Sequence, residues 1–335
     1  MFVNGGSEYV RLLKLQRQAM FARDKLDVAA TEMTTGLKAS RYEATGGNLT
    51  RLLALERSLD RNAIYRENLA LTELRLDVMQ DAYGQMLKPA ESLAINLTNA
   101  TGLNDYKAAM LHASNSRDAF LSTVGLLNTQ VAGQSLFAGA RTDAPALIDG
   151  EAILAELQTA LASAGTAADA LATIDAYFAP GGGFSTTAYT GSTDDLTAVD
   201  TGEGQRIDYG RRADEERTVA LLRAHATAAV VADGALPGNQ TERMALLSAA
   251  AARTLDAKEG LIGLRSEVGM QQEQVASAQA ARTAEKETLT MARAEIVAVD
   301  PLEAASAYQQ LEVLLESVYT VTARISSLRF SNFMP

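Results

Sequence analysis

Apolar residues recur at alternating spacings of three and four near both ends of the chain, and this pattern constrains the fold more than any other feature. Such spacing places side chains on one stripe of an α-helix, as in a coiled-coil seam. The N-terminal set therefore predicts one long helix, which residues 34–48 interrupt with Gly36, Gly46 and Gly47. Its members are Leu12, Leu15, Ala19, Ala22, Leu26, Ala29 and Met33.

The same spacing returns three more times along the chain. It spans Leu69–Leu97, with Pro89 inside, where we expect a kink or an interruption. It continues over Leu261–Val299, where Gln271, Arg282 and Glu285 make the seam partly polar. The last stripe spans Tyr308–Leu328, after Asp300-Pro301 has provided an N-cap and a first helical residue.

The composition supports helices over a sheet sandwich. Apolar residues make up 47% of the 335 residues, but aromatic residues only 5%, and tryptophan is absent. Alanine and leucine are strong helix formers, whereas sheets favour aromatic and β-branched residues.

Charge and residue usage exclude several functions. The net charge of -11 disfavours binding to nucleic acid. The absence of cysteine excludes disulfides and thiolate metal sites. The sequence has no stretch of 18 apolar residues and no secretory signal pattern at its N-terminus, so we expect neither membrane insertion nor a cleaved signal peptide.

Residues 142–237 differ from the flanking segments, because they contain a short amphipathic helix and then a stretch rich in Gly, Thr, Asp and Tyr. The predicted fold is mainly α, a long antiparallel coiled-coil-like helical rod from both termini with a small inserted α+β domain. The predicted segments are 1–47 (N-terminal assembly helix and loop), 48–141 (first half of the rod), 142–237 (inserted outer domain), 238–300 (second half of the rod) and 301–335 (C-terminal assembly helix).

Catalytic motifs receive no support from the sequence. Gly202-x-Gly204 lacks the third glycine of a dinucleotide fingerprint. His112 and His225 lie in helical patterns without a nucleophile elbow, and Asp194-Asp195 lacks an EF-hand loop. We therefore predict no enzyme activity, no catalytic residue, no metal and no cofactor.

The terminal seams are too thin to stabilise a lone monomer, so we expect them to meet neighbouring subunits. This expectation makes an assembly interface the candidate functional site. The predicted interface residues are Leu12, Leu15, Ala19, Ala22, Leu26, Met33, Leu311, Leu315, Val318, Ile325 and Leu328.

Four regions resemble the flagellin superfamily, and within it the proteins of the hook–filament junction. They are Leu26–Lys38, which contains Thr35-Gly36; Gln134–Pro145, which contains Phe137-Ala138-Gly139; Tyr189–Asp194 with Ile207–Glu215; and Asp300–Glu312 with Tyr319–Leu328. Arg41–Gly47 stands where the family usually has a Ser-Asp-Asp-Pro-like turn.

The resemblance implies a structural protein of the bacterial flagellum that polymerises through its terminal helices. It implies export through the flagellar type III apparatus and an extracellular location on the flagellum. The implied partners are further copies of the chain, a hook-side hook-associated protein, flagellin, and an export chaperone that binds the C-terminal helix between Leu311 and Leu328.

Two alternatives remain open. The chain could be flagellin itself, the bulk filament subunit, although the Phe137-Ala138-Gly139 segment argues against it. It could also be a stalked ligand-binding or hydrolase module whose work is done by residues 142–237.

Overall fold

The computed structural model describes the backbone of residues 4–202 and 204–331, and the side chains of residues 10–11, 13–202 and 204–324. Helices account for 74% of the structure, and the strands form two small antiparallel sheets. The predicted mainly α fold is confirmed.

The helices and strands follow one another in a simple order. The helices are α1 (Asn4–Thr35), α2 (Arg41–Ala44), α3 (Thr50–Gly102), α4 (Tyr106–Leu127), α5 (Gly150–Leu161), α6 (Ala167–Phe178), α7 (Glu216–Ala232), α8 (Gln240–Val297) and α9 (Pro301–Ser331). A π-helical turn spans Phe184–Ala188. The strands are β1 (Gln130–Val131), β2 (Gln134–Ser135), β3 (Val199–Gly202) and β4 (Gln205–Ile207), paired β1–β2 and β3–β4.

The chain divides into two compact units. The first combines Met1–Ala63 with Ala284–Pro335, and the second is Ile64–Thr283. The segment predicted as an inserted domain, 142–237, lies within the second unit together with α4 and parts of α3 and α8. The five predicted segments remain a prediction.

In the first unit, a short antiparallel backbone pairing joins the end of α1 to the link between α8 and α9. The Lys38 amide donates to the Val297 carbonyl at 2.8 Å, and the Val299 amide donates to the Gly36 carbonyl at 3.0 Å. Leu37 and Ala298 face each other between these two bonds. This pairing sets α1 and α9 side by side and antiparallel.

In the second unit, α7 is the central helix. Eleven of its residues are buried, and alanine is the commonest of them, so α4, α5 and α6 can pack closely around it. His225 lies fully buried in α7, where the Oγ of Ser116 on α4 is 3.4 Å from its Nδ1. Burial lowers the pKa of His225 to about 4, because a charged imidazole loses its hydration there.

Of the kink or interruption expected at Pro89, the interruption is wrong, since α3 continues through it from Thr50 to Gly102, and the kink stays a prediction. Met86 and Ala90 on either side are fully buried, so packing offsets the missing backbone hydrogen bond. The sequence interpretation also missed α6, whose N-terminus has a capping box between Thr166 and Asp169.

The backbone pairing predicts a disulfide on engineering. Leu37 and Ala298 form a non-hydrogen-bonded antiparallel pair, for which the Cα atoms lie about 4.5 Å apart. That separation is within the range of disulfides, and the chain has no cysteine of its own to compete. We expect Leu37→Cys/Ala298→Cys to cross-link under mild oxidation, measured by gel mobility and intact mass.

Leu37→Cys/Ala294→Cys is the matched control for this pair. Ala294 lies about one helical turn before Ala298, roughly 6 Å away from it along the axis of α8. Equal cross-linking of the two variants would contradict the pairing.

A second prediction concerns acid stability. The unfolded chain protonates His225 at its ordinary pKa of 6.5, whereas the folded chain does so only near 4. Between these values the unfolded state binds more protons, so the free energy of unfolding falls by about 3 kcal/mol from pH 7 to pH 4. Denaturant titrations of wild type and His225→Asn should show that the variant lacks this contribution.

His112→Asn is the matched control, because it makes the same substitution at the other histidine. An identical pH dependence in wild type and His225→Asn would contradict the prediction.

Candidate assembly interface

The turn that ends α1 uses the predicted Thr35-Gly36 motif. Gly36 has a φ of 69°, and its amide donates to the Glu32 carbonyl at 2.8 Å, which is the left-handed ending that glycine favours. The Thr35 hydroxyl donates to the Thr31 carbonyl at 2.7 Å and accepts from the Leu37 amide at 3.3 Å. Thr35 and Gly36 therefore stop the helix and direct the chain into its pairing with Val297–Val299.

The start of α9 is fixed by the predicted N-cap. The Asp300 carboxylate accepts hydrogen bonds from the Leu302 amide at 2.8 Å and the Glu303 amide at 3.4 Å. Pro301 occupies the first helical position, where its missing N–H costs no hydrogen bond. The end of α1 and the start of α9 are thus both explained by residues next to them in the sequence.

The structure places most of the predicted interface residues between α1 and α9 of the same chain. Ala22, Ala29, Ala304 and Val318 are buried there, and Ala29 and Ala304 are small enough to let the helices approach closely. Leu15, Ala19, Leu26, Leu311 and Leu315 are half-buried, and Met33 is exposed. The side chains of Leu12, Ile325 and Leu328 lie outside the described residues.

A second apolar stripe on α1 was missed by the sequence interpretation. Phe21 is 65% exposed and Met20 is 68% exposed. Each stripe member lies two residues before or after a seam position, and two residues correspond to about 200° around a helix. The open face, as we name this stripe, therefore lies mostly on the side of α1 opposite the seam, with Phe21 at its edge nearest α9. Its members are Val10, Leu13, Met20, Phe21 and Val28.

The signal for the open face is present in the sequence. Val10, Leu13 and Met20 repeat the spacing of the recognised seam, shifted by two residues. The seam through Ala22 has more members than the open face, so it dominates the sequence pattern of α1.

One edge of the open face borders a groove between α1 and α9. The groove holds about 400 Å³ and is lined by Arg17, Gln18, Phe21, Leu314 and Val318. Lys25 reaches over the Phe21 ring, with its Nζ 5.7 Å from the centroid. The exposed aromatic ring is therefore flanked by positive charge on both sides along the helix.

One segment of each helix carries charge opposite to that of the other. Between Val10 and Lys25, α1 has five basic residues and one acidic residue, Asp24. Between Pro301 and Thr320, α9 has three glutamates and no basic residue. Glu312 and Glu316 are exposed, so this acidic charge is available to a second molecule.

The motif Phe137-Ala138-Gly139 lies in the second unit and organises its loops. The Phe137 ring packs edge-on against Tyr83 with centroids 5.6 Å apart, and its carbonyl accepts from the Ala213 amide at 2.8 Å. The Ala138 carbonyl accepts from the Ser192 amide at 2.8 Å. Gly139 has a φ of 62°, and any Cβ would lie 2.6 Å from the carbonyl oxygens of Ser192 and Asp194.

The glycine pair and the aspartate pair of the sequence analysis both belong to structural parts of the fold. Gly202 ends β3 and Gly204 directly precedes β4, and Asp195 accepts a hydrogen bond from Arg212 at 2.8 Å. No cluster of three or more metal-binding side chains occurs in the described part of the chain. Within the same ranges, no helix combines the length and apolar character needed to span a bilayer.

Comparisons with known proteins agree with the predicted resemblance. The family profile for the bacterial flagellin C-terminal helical region matches residues 254–331, which covers much of α8 and all of α9. No curated protein sequence matches the chain.

Two solved structures share the fold. A structure described as a flagellar hook-associated protein from Vibrio parahaemolyticus aligns with a TM-score of 0.54 at 16% identity, over 73% of this chain and 95% of that one. FlgL of Bacillus cereus aligns with a TM-score of 0.51 at 13% identity, over 72% of this chain and 100% of that one. The resemblance is confirmed: in fold the chain is similar to flagellar hook-associated proteins, and its C-terminal helices match those of bacterial flagellins.

Proposed function

We propose that this chain is a structural protein of the bacterial flagellum that forms the junction between hook and filament by polymerisation through its terminal helices. The observation that carries the proposal is the pair of apolar faces on α1. One face packs against α9 of the same chain, whereas the members of the open face are 38–68% exposed. A helix with two seams can join its own hairpin to a neighbouring subunit.

Charge supports a second copy of the chain as the partner of the open face. Arg17, Lys14 and Lys25 lie on or beside it, while α9 exposes Glu312 and Glu316. An α1 of one copy against an α9 of the next would combine apolar burial with attraction between opposite charges. The similarity to a hook-associated protein and to FlgL supports placing this assembly in the flagellum.

The remaining partners follow from the same assignment. A hook-side hook-associated protein and flagellin would contact the two ends of the assembled ring. An export chaperone would bind the stripe from Leu311 to Leu328 on α9, since an amphipathic helix is recognised by its apolar face. The chain would reach the cell exterior through the flagellar type III apparatus.

Flagellin itself is the second candidate. The match of residues 254–331 to the flagellin C-terminal helical region favours it, because that region serves the filament subunit. The two solved structures favour the junction instead, since they are described as a hook-associated protein and FlgL.

Two neighbouring residues on α1 test assembly separately from folding. Phe21→Asp places a charge on the open face, so we expect it to abolish incorporation into flagella without disturbing α1 and α9. Ala22→Asp buries a charge in the seam, so it should also speed amide hydrogen exchange in both helices by at least about tenfold. Hydrogen exchange of the free protein and immunoblots of purified flagella provide the two measurements.

The decisive case is a Phe21→Asp variant whose amide hydrogen exchange in α1 and α9 is unchanged. Normal incorporation of that variant would exclude the open face as the assembly surface.

The location of the protein separates the two candidates. We expect antibodies against residues 142–237 to label a narrow band where hook meets filament in electron micrographs of intact flagella. Label along the whole filament would identify flagellin, and unlabelled flagella would contradict both.

A further inference from the structure

A groove in the second unit lies between the end of α6 and the first two turns of α7. It holds about 870 Å³, a volume typical of small-molecule sites. Its floor is apolar and is formed by Phe178, Pro180, Phe184, Val219 and Ala220. Its polar side chains are Asp175, Ser185, Asp214, Glu216 and Arg223.

The wall formed by residues 178–185 is held rigidly. A Cβ at Gly182 would lie 2.2 Å from the Ala176 carbonyl oxygen, so the loop packs directly on the end of α6. The Ser185 hydroxyl accepts from the Gly181 amide at 2.9 Å and donates to the Gly182 carbonyl at 3.0 Å. The groove is therefore formed before any ligand arrives.

Arg223 supplies hydrogen-bond donors at one end of the groove. Its Nε is buried and finds no acceptor among the described residues. The nearest carboxylate is Asp175, 3.6 Å from its Nη1, and Arg253 already holds that carboxylate with two contacts of 2.7 Å. The Arg223 side chain as a whole is 39% exposed, so its terminal nitrogens can donate to a ligand oxygen in the groove.

Glu216 supplies an exposed carboxylate at the other end. It lies on the same face of α7 as Arg223, about 10 Å away along the helix axis, and accepts no hydrogen bond from a described residue. Next to it, the Asp214 carboxylate accepts from Arg212 Nε at 2.8 Å. A ligand that spans the groove therefore needs an acceptor at one end and a donor at the other.

Arginines offset part of the acidic charge around the groove. Asp175, Asp214, Glu216 and Arg223 line it, and Arg212 and Arg253 donate to Asp214 and Asp175. Because Asp175 lies beside Arg223, an ionic ligand group of either sign would meet a like charge at that end. A hydroxyl group avoids this conflict, since it accepts from Arg223 and donates to Asp175 at once.

We propose that this groove binds a neutral saccharide of about two rings. Hydroxyl groups at its ends would pair with Arg223 and Glu216, and its C–H faces would cover the apolar floor. The proposal rests on the groove alone and is independent of the flagellar assignment.

Saturation-transfer NMR on the full chain tests the proposal with three disaccharides, maltose, cellobiose and N,N′-diacetylchitobiose. We expect at least one of them to receive saturation from the protein. Arg223→Met and Glu216→Ala should each weaken its binding by at least about tenfold, because each removes a charge-assisted hydrogen bond.

Arg265→Met is the matched control. Arg265 also has a buried Nε that finds no acceptor in the described part of the chain, but it lies on α8 beside Gly84, outside the groove. Binding should survive this substitution, and unchanged thermal unfolding of all three variants would show that the fold is intact. Absence of transfer to all three disaccharides, or undiminished binding by Arg223→Met, would overturn the proposal.

Discussion

The backbone pairing of Gly36–Lys38 with Val297–Val299 determines how the first unit is built. It sets α1 antiparallel to α9 and ties the end of one helix to the start of the other. In this arrangement Ala22 is buried, whereas its neighbour Phe21 stays 65% exposed at the edge of the groove between the two helices. A few peptide hydrogen bonds therefore determine which apolar side chains are buried within the chain and which remain exposed to a second molecule.

Periodicity predicted the helices well but could not say what each face would meet. The stripe through Ala22 and Leu26 was correctly recognised as a seam, yet it was assigned to neighbouring subunits, and the structure pairs it with α9 of the same chain. The assembly role of those residues remains a prediction. A spacing of three and four shows that a face will be buried, whereas the identity of its partner depends on contacts between residues far apart in sequence.

Local capping signals were the most reliable part of the sequence. Asp300-Pro301 and Thr35-Gly36 each act through atoms within a few residues, so their roles could be predicted without tertiary structure. Pro89 was a less reliable signal, because α3 continues through it between the buried neighbours Met86 and Ala90. The groove beside Arg223 could not be predicted at all, since its lining comes from residues 175–185 and 214–223, which only the fold brings together.

The second unit illustrates how an alanine-rich core handles polar groups. Alanines around α7 allow close helix packing, and His225 and Thr227 are carried into that core with partners on neighbouring helices. Arg253 joins two elements there, since it donates to Thr227 on α7 and to Asp175 on α6. The small residues of this core pack closely. Long side chains at its edge thus fix the helices relative to one another.

Methionine oxidation in free and assembled protein would test the central claim, that the open face of α1 is the surface that meets the next subunit. Met20 lies on that face and is 68% exposed in the single chain, whereas Met79 is fully buried and serves as the unreactive reference. Mass spectrometry after brief peroxide treatment should show Met20 oxidised in the free protein and protected in isolated flagella. Equal oxidation of Met20 in both states would contradict the account.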